Sequence, residues 1–236
     1  MIVAIHQPNL FPRLKILQKL AAADLWVVLD DVQFASRDYQ HRALLQPTRR
    51  NQRTRWVTLP VDRARGSRVK LMEAVVKCEY PADHLHRALH GAFHCADDLY
   101  TPFAPELAEL QRVGCYQLVR YALTTCRTLL DSAGRPPRIV LASKIRDNPK
   151  PKARGIEQLL RLVGGSVYIA DSGARGYLDD KALAAQGVTT LWQHWRPISS
   201  WSAPAVIQRN GSALNLLAAD PQRFASAVND ILVTTH

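Results

Sequence analysis

The chain has 236 residues, 31 Lys+Arg against 20 Asp+Glu for a formal charge of +11, and 47% hydrophobic residues. At about 150 residues per domain this is one large domain or two small ones, and the balance of apolar and charged residues excludes a disordered chain. The longest apolar runs, such as Leu25–Leu29, are far below the roughly 18 residues needed to cross a bilayer, as is Ile139–Ala142.

Met1-Ile2-Val3-Ala4-Ile5 reads as the start of a strand rather than a signal peptide. The cysteines Cys78, Cys95, Cys115 and Cys126 never form a C-x-x-C spacing, so they suggest neither zinc nor a redox pair. Buried, reduced thiols in a cytoplasmic protein are the expectation.

Ile2–His6 is the first predicted strand. The spacing of Leu10, Leu14, Leu17, Leu20 and Ala21 then predicts a helix from Leu10 onward. Leu25–Leu29 is too continuously apolar for a surface strand and reads as a central parallel one, completing a β-α-β unit. Trp56–Val61 and Arg68–Val76 read as further strands. A helical region follows from about Asp83 to Asp131, broken near Gly91, Pro102 and Gly114. Ile139–Ala142, Ser166–Ala170 and Val188–Trp192 are predicted strands that alternate with helices Arg154–Val163 and Asp179–Ala185. Helices Ala213–Ala218 and Pro221–Leu232 close the chain. The expected fold is α/β: a mostly parallel sheet flanked by helices in three Rossmann-like layers, with a mainly helical insertion at about 83–135 in a single domain spanning 1–236.

The charge is clustered. Seven arginines and one aspartate lie between Arg49 and Arg68, while Lys144, Arg146, Lys150, Lys152 and Arg154 surround Asp147. Such clusters suit an anionic partner or a solvated face. Arginine outnumbers lysine 23 to 8, which favours the solvated face for the first cluster. Neither cluster has the interleaved aromatics of a single-strand binder, so nucleic acid is not the expected partner. No membrane insertion is expected either.

In an open parallel sheet, ligands bind beyond the carboxyl ends of the strands. That rule selects His6 and Gln7, Asp30, Asp31 and Gln33, Ser143 and Lys144, Asp171-Ser172-Gly173, and Gln193-His194. His6 and one of Asp30 or Asp31 are the candidate catalytic residues, since adjacent strand residues point to opposite faces. Arg37, Gln40 and Arg42 follow the second strand and could grip an anion. Lys152 and Arg154 precede a helix N-terminus, where free N–H groups add to an anion site. Asn9, Tyr177 and His194 complete the binding candidates. The Walker A, dinucleotide-binding, nucleophile-elbow and zincin signatures are all missing.

Three blocks, His6-Gln7-Pro8-Asn9, Leu29-Asp30-Asp31-Val32-Gln33-Phe34 and Trp56-Val57-Thr58-Leu59-Pro60-Val61, resemble the WbqC-like protein family in order and spacing. Leu162–Tyr168, Ser172-Gly173, Tyr177-Leu178, Gly187-Val188 and Ser212-Ala213-Leu214 extend the likeness over nearly the whole chain. Leu10, Arg13 and Asn215 depart from the family's usual residues.

The resemblance implies a place among bacterial O-antigen and other surface-polysaccharide proteins, with glycine or other acyl-group transfer as the suggested role. Joined to the residues above, it leads to an expected amide- or ester-forming acyl- or aminoacyl-transferase in surface-polysaccharide or specialised-metabolite biosynthesis. The expected donor is anionic: a carrier-protein or coenzyme A thioester, a nucleotide-sugar or an aminoacyl-tRNA. An acidic carrier protein is a possible partner, and no cofactor or metal is implied. A nucleotidyltransferase-like enzyme and a non-enzymatic carrier-protein- or sugar-binding accessory factor are the alternatives. The first of these lacks its usual second histidine.

Overall fold

The computed structural model describes residues 1–48, 53–62, 69–150, 152–199 and 201–235, without the side chain of Lys152. Its centre is a six-stranded sheet made of β1 (Ile2–His6), β2 (Leu25–Val28), β5 (Arg138–Leu141), β6 (Val167–Ala170), β7 (Thr189–His194) and β8 (Leu232–Thr234), in the order β5-β2-β1-β6-β7-β8. Every pairing is parallel except β7 with β8. A separate antiparallel hairpin pairs β3 (Arg42–Leu45) with β4 (Arg55–Thr58). The mostly parallel α/β expectation is met.

Alternation along the central strands sorts the core into two layers. Ala4, Trp26, Val28 and Ile169 face one side. There they meet α1 (Leu14–Ala21), the helices α2 (Pro81–His90), α3 (Ala96–Tyr100), α4 (Ala104–Arg112) and α5 (Leu118–Ser132), and then α8 (Ala205–Asn210), α9 (Leu214–Ala219) and α10 (Pro221–Asn229). Val3, Ile5, Val27 and Ala170 face the other side, against α6 (Lys152–Val163) and α7 (Asp180–Ala185). The return from α6 to β6 depends on two glycines. Gly164 takes φ +67° to end the helix, and a Cβ on Gly165 would sit 2.7 Å from the Val3 side chain.

Several expectations change. The first helix starts at Leu14 rather than Leu10, because Phe11 is left-handed (φ +43°) and Pro12 follows it, leaving Leu10 buried in a loop. The described part of Arg68–Val76 is a 3-10 turn at Leu71–Glu73 with isolated bridges, not a strand; Arg68 lies outside the described residues. The helical region holds four helices, interrupted near Gly91, Pro102 and Gly114 as expected. α10 stops at Asn229, and the last apolar residues pair with β7 as β8 instead of extending the helix. β3 and α8 had no counterpart in the sequence reading. Of the four thiols only Cys126 is buried, and the others are partly exposed. No helix among the described residues is long and apolar enough to cross a membrane.

Candidate functional site

Chain connections leave β1 in opposite directions, toward β2 and β5 on one side and toward β6 and β7 on the other. This reversal is the switch point where open α/β sheets place ligands. The pairing of β1 with β6 ends at Ala4↔Ile169, whereas β1 stays paired with β2 as far as His6↔Val28. Beyond Ala4 the strands part, and the carbonyl of Ile5 is taken instead by the Nζ of Lys19 at 3.2 Å.

Lys19 comes from α1 and is 1% exposed, with its Nζ also 3.6 Å from Asp171 Oδ2 at the end of β6. Burial pushes its pKa down, opposed by Asp171. Burial pushes the Asp171 carboxyl up, but Lys19, then His6 and Lys15, outweigh that and hold it below the usual range. The two groups form an ion pair, with Lys19 buried and Asp171 partly exposed.

His6 projects from the same strand end on the same face. Its Nδ1 lies 2.6 Å from the Gln7 carbonyl oxygen. A carbonyl carries no proton, so Nδ1–H is the donor and Nε2 keeps its lone pair. Burial first, and then the Lys19 charge, drive the imidazole pKa down to about 4. At neutral pH the ring is therefore an uncharged base. Arg13 adds to the field that disfavours the imidazolium. Lys15, whose own pKa is lowered by burial, Arg13 and Arg209, brings further positive charge to this rim.

The loop after His6 is clamped from above. Gln7 Nε2 donates to Asp38 Oδ2 at 2.5 Å, Gln40 Nε2 donates to Gln7 Oε1 at 2.9 Å, and the Ala35 N–H donates to Gln40 Oε1 at 2.8 Å. The Leu10 N–H donates to the Tyr39 carbonyl at 3.0 Å. Below the loop, the strained Phe11 is held by its N–H to Thr125 Oγ1 (3.0 Å) and by edge-on packing against Phe103. Asn9 is buried, and neither polar atom of its side chain makes a hydrogen bond among the described residues.

Asp30 and Asp31 follow the neighbouring strand β2, and both are bonded to the segment after β5. Asp30 accepts from the Ser143 N–H at 2.9 Å and from its hydroxyl at 2.5 Å. Asp31 is gripped at both oxygens by Arg146, at 2.7 and 2.9 Å, with both side chains almost fully buried. Together they hold the turn after β5.

The WbqC-like protein family model matches residues 7–216. The chain belongs to that family. The uncharacterized protein Rv1507c of Mycobacterium tuberculosis (strain ATCC 25618 / H37Rv) is 24% identical over 194 residues, covering 80% of each chain. No solved structure matches.

Within this WbqC-like chain, Gln7 and Gln40 bond to each other in the loop after His6, and Ser172 and Tyr177 follow Asp171 beyond β6. Tyr177 is close enough to Asp171 for the carboxylate to help burial raise its pKa. The other expected residues have different surroundings. Arg42 lies over the Trp56 ring (4.3 Å) and donates to the Arg37 carbonyl, while Arg37 is exposed. Gln33 bridges to Lys70 away from β1. His194, two strands from His6, bonds to Thr234 Oγ1 on β8. Lys144 and Arg154 are exposed, and the Lys152 side chain lies outside the described residues.

Of the Arg49–Arg68 cluster only Arg53 and Arg55 are described; Arg55 is committed to the Ala88 carbonyl. The strand-end rule reached Asp171, but sequence reasoning missed Lys19, Arg13, Lys15 and Arg209. Lys19 was the legible one, a charge set between Leu17 and Leu20 on a helix with almost no exposed face.

Proposed function

We propose that this chain is a transferase that forms an amide or ester bond, with His6 as the residue that moves the proton. The observation carrying this reading is the neutral His6 imidazole, with Nδ1–H fixed on the Gln7 carbonyl and Nε2 left as a base at the switch point. An acceptor amine or hydroxyl bonded to Nε2 attacks the carbonyl carbon of an acyl donor. Nε2 takes the acceptor's proton as the new C–N or C–O bond forms, then returns it to the departing thiolate or alkoxide as the old bond breaks. Acyl donor plus acceptor thus gives acylated acceptor plus free thiol or alcohol.

The donor is anionic on this reading. Arg13, Lys15 and Arg209 supply positive charge on the rim, while Asp171 is already neutralised by Lys19. A base with a pKa near 4 abstracts protons weakly, since acid–base catalysis works best with a pKa near the working pH. A donor anion beside Arg13 would oppose the part of the His6 lowering that comes from that charge, making Nε2 a somewhat stronger base when substrate is bound. The acceptor class is an amino sugar or another amine, and Ser172 and Tyr177, which follow Asp171, are the side chains assigned to orient it.

The test is a mass-spectrometric search for acylated products, using purified protein with coenzyme A, carrier-protein and aminoacyl donors against amine acceptors. Product formation that His6→Gln abolishes, with the fold intact, supports the reading. Pyrophosphate release from ATP or CTP, with no acylated product, would replace it with nucleotidyl transfer. Saturable binding of an acidic carrier without turnover would replace it with an accessory role.

A further inference from the structure

A second cluster of chemistry-bearing side chains lies on the helical segment between β4 and β5, apart from the switch-point crevice. His86 and His90 are four residues apart on α2, which places them on one face of the helix. Asp97, in the first turn of α3, comes to meet them. Its Oδ1 is 3.0 Å from His86 Nε2 and 2.8 Å from His90 Nε2, and the three atoms lie within 4.8 Å of one another.

The arrangement is held in place. The His86 ring stacks on Tyr100 with centroids 4.4 Å apart, and packs edge-on against His90 at 4.7 Å. Tyr100 is itself anchored, its hydroxyl donating to the Ala82 carbonyl at the start of α2.

We propose that His86, His90 and Asp97 form a binding site for a divalent transition metal ion of the zinc class. Two imidazoles and a carboxylate are a borderline-soft donor set that suits Zn²⁺ and its neighbours rather than Ca²⁺ or Mg²⁺. Zinc bonds of about 2.0–2.2 Å put tetrahedral ligand atoms roughly 3.3–3.5 Å apart. The present separations of 2.8 and 3.0 Å therefore need to open by only a few tenths of an ångström.

Without metal, Oδ1 accepts Nε2–H from both rings. With metal, each neutral ring carries its proton on Nδ1 and offers the Nε2 lone pair, so no net proton transfer is required. Asp97 is an anion at neutral pH, since the two imidazole hydrogen bonds hold its carboxyl below the usual range. All three side chains reach solvent, with Asp97 74% exposed, so water completes the coordination. The site ties α2 to α3 and does not depend on the reaction assigned to the crevice.

Chelator-stripped full-length protein titrated with Co²⁺, and with Zn²⁺ against a chromophoric competitor, tests this directly. One equivalent of metal should bind, with visible Co²⁺ absorption bands and a raised Tm. His90→Ala and Asp97→Asn should each weaken binding more than about tenfold, because losing even an outer partner of a metal ligand costs 10–100-fold. Both residues are exposed, so neither variant threatens the fold. His94→Ala and Cys95→Ser should bind as the parent does. Absence of saturable binding, unchanged affinity in His90→Ala, or loss of the site in Cys95→Ser would each overturn the assignment.

Discussion

If His6 is held neutral by its surroundings, folding stability must carry its signature. The imidazole pKa is about 4 in the folded chain, against 6.5 for the ordinary group. Between those values the unfolded chain binds the proton and the folded chain does not, so stability falls as the pH drops from above 6.5 toward 4. At pH 4.5 the unfolded imidazole is almost fully protonated and the folded one mostly free. The linkage relation then gives a loss of about 2.5 kcal/mol relative to pH 7.5. Other groups contribute their own acid sensitivity, but a variant without the imidazole shares them. Urea unfolding of the parent and of His6→Gln at pH 7.5 and 4.5 isolates the difference. The parent should lose about 2.5 kcal/mol more than the variant. Parallel losses, within about 0.5 kcal/mol, would show that His6 titrates normally and would remove the physical basis for its role as a neutral base.

Three further outcomes follow from the same geometry. Breaking the buried Asp31–Arg146 pair by Asp31→Leu or Arg146→Met alone should cost about 3–5 kcal/mol in urea unfolding, whereas the double variant should recover most of it; single losses below about 1 kcal/mol would mean the pair is not desolvated. Affinity for an anionic acyl donor, measured by calorimetry, should fall as ionic strength rises, because Arg13, Lys15 and Arg209 all reach solvent; a flat response would return these cations to a solvated face. With a thiol-reactive dye Cys126 should label only on unfolding, since burial pushes its pKa up to about 12, while the three partly exposed cysteines label first; rapid labelling of all four would contradict the burial of Cys126, whose Sγ donates to the Asn9 carbonyl.

Sequence legibility followed the apolar pattern closely and failed where that pattern is shared between structures. β1, β2, β5 and β6 hold short continuous apolar runs ended by polar residues, as buried parallel strands require, while β7 (TTLWQH) carries the β-branched and aromatic residues that favour strands. β3 and β8 are three or four residues long and carry too little periodicity to separate from loop or helix. Leu232 and Val233 also continue the spacing of α10, so only the pairing with β7 distinguishes them. The helix start at Leu14 was hidden because Leu10 and Phe11 are buried without being helical, a consequence of the left-handed Phe11. The strand-end rule named His6, Asp30, Asp31 and the turn at Asp171. It could not say which of these share a crevice, since that depends on strand order. Asp171 meets His6 only because β6, 161 residues later in the chain, pairs directly with β1.

That strand order also separates the roles of the three candidate catalytic residues. Asp30 has Ser143 on both oxygens and Asp31 has Arg146 on both. Both aspartates thus use both carboxylate oxygens to hold the segment after β5. His6 has no such obligation: its one bond to Gln7 uses the Nδ1 proton, and Nε2 makes no hydrogen bond among the described residues. On the proposed reading the aspartates are therefore positioning residues for the turn after β5, and the proton moves through His6. Lys19 then has a specific consequence. By disfavouring the imidazolium it shortens the time the proton stays on His6, so proton return to the leaving group is favoured over an idle protonated state. An anionic donor beside Arg13 would oppose only the smaller Arg13 contribution, not the burial and Lys19 effects that come first. Burial and the Lys19 charge together thus keep the resting imidazole uncharged, with Nε2 as its one open nitrogen.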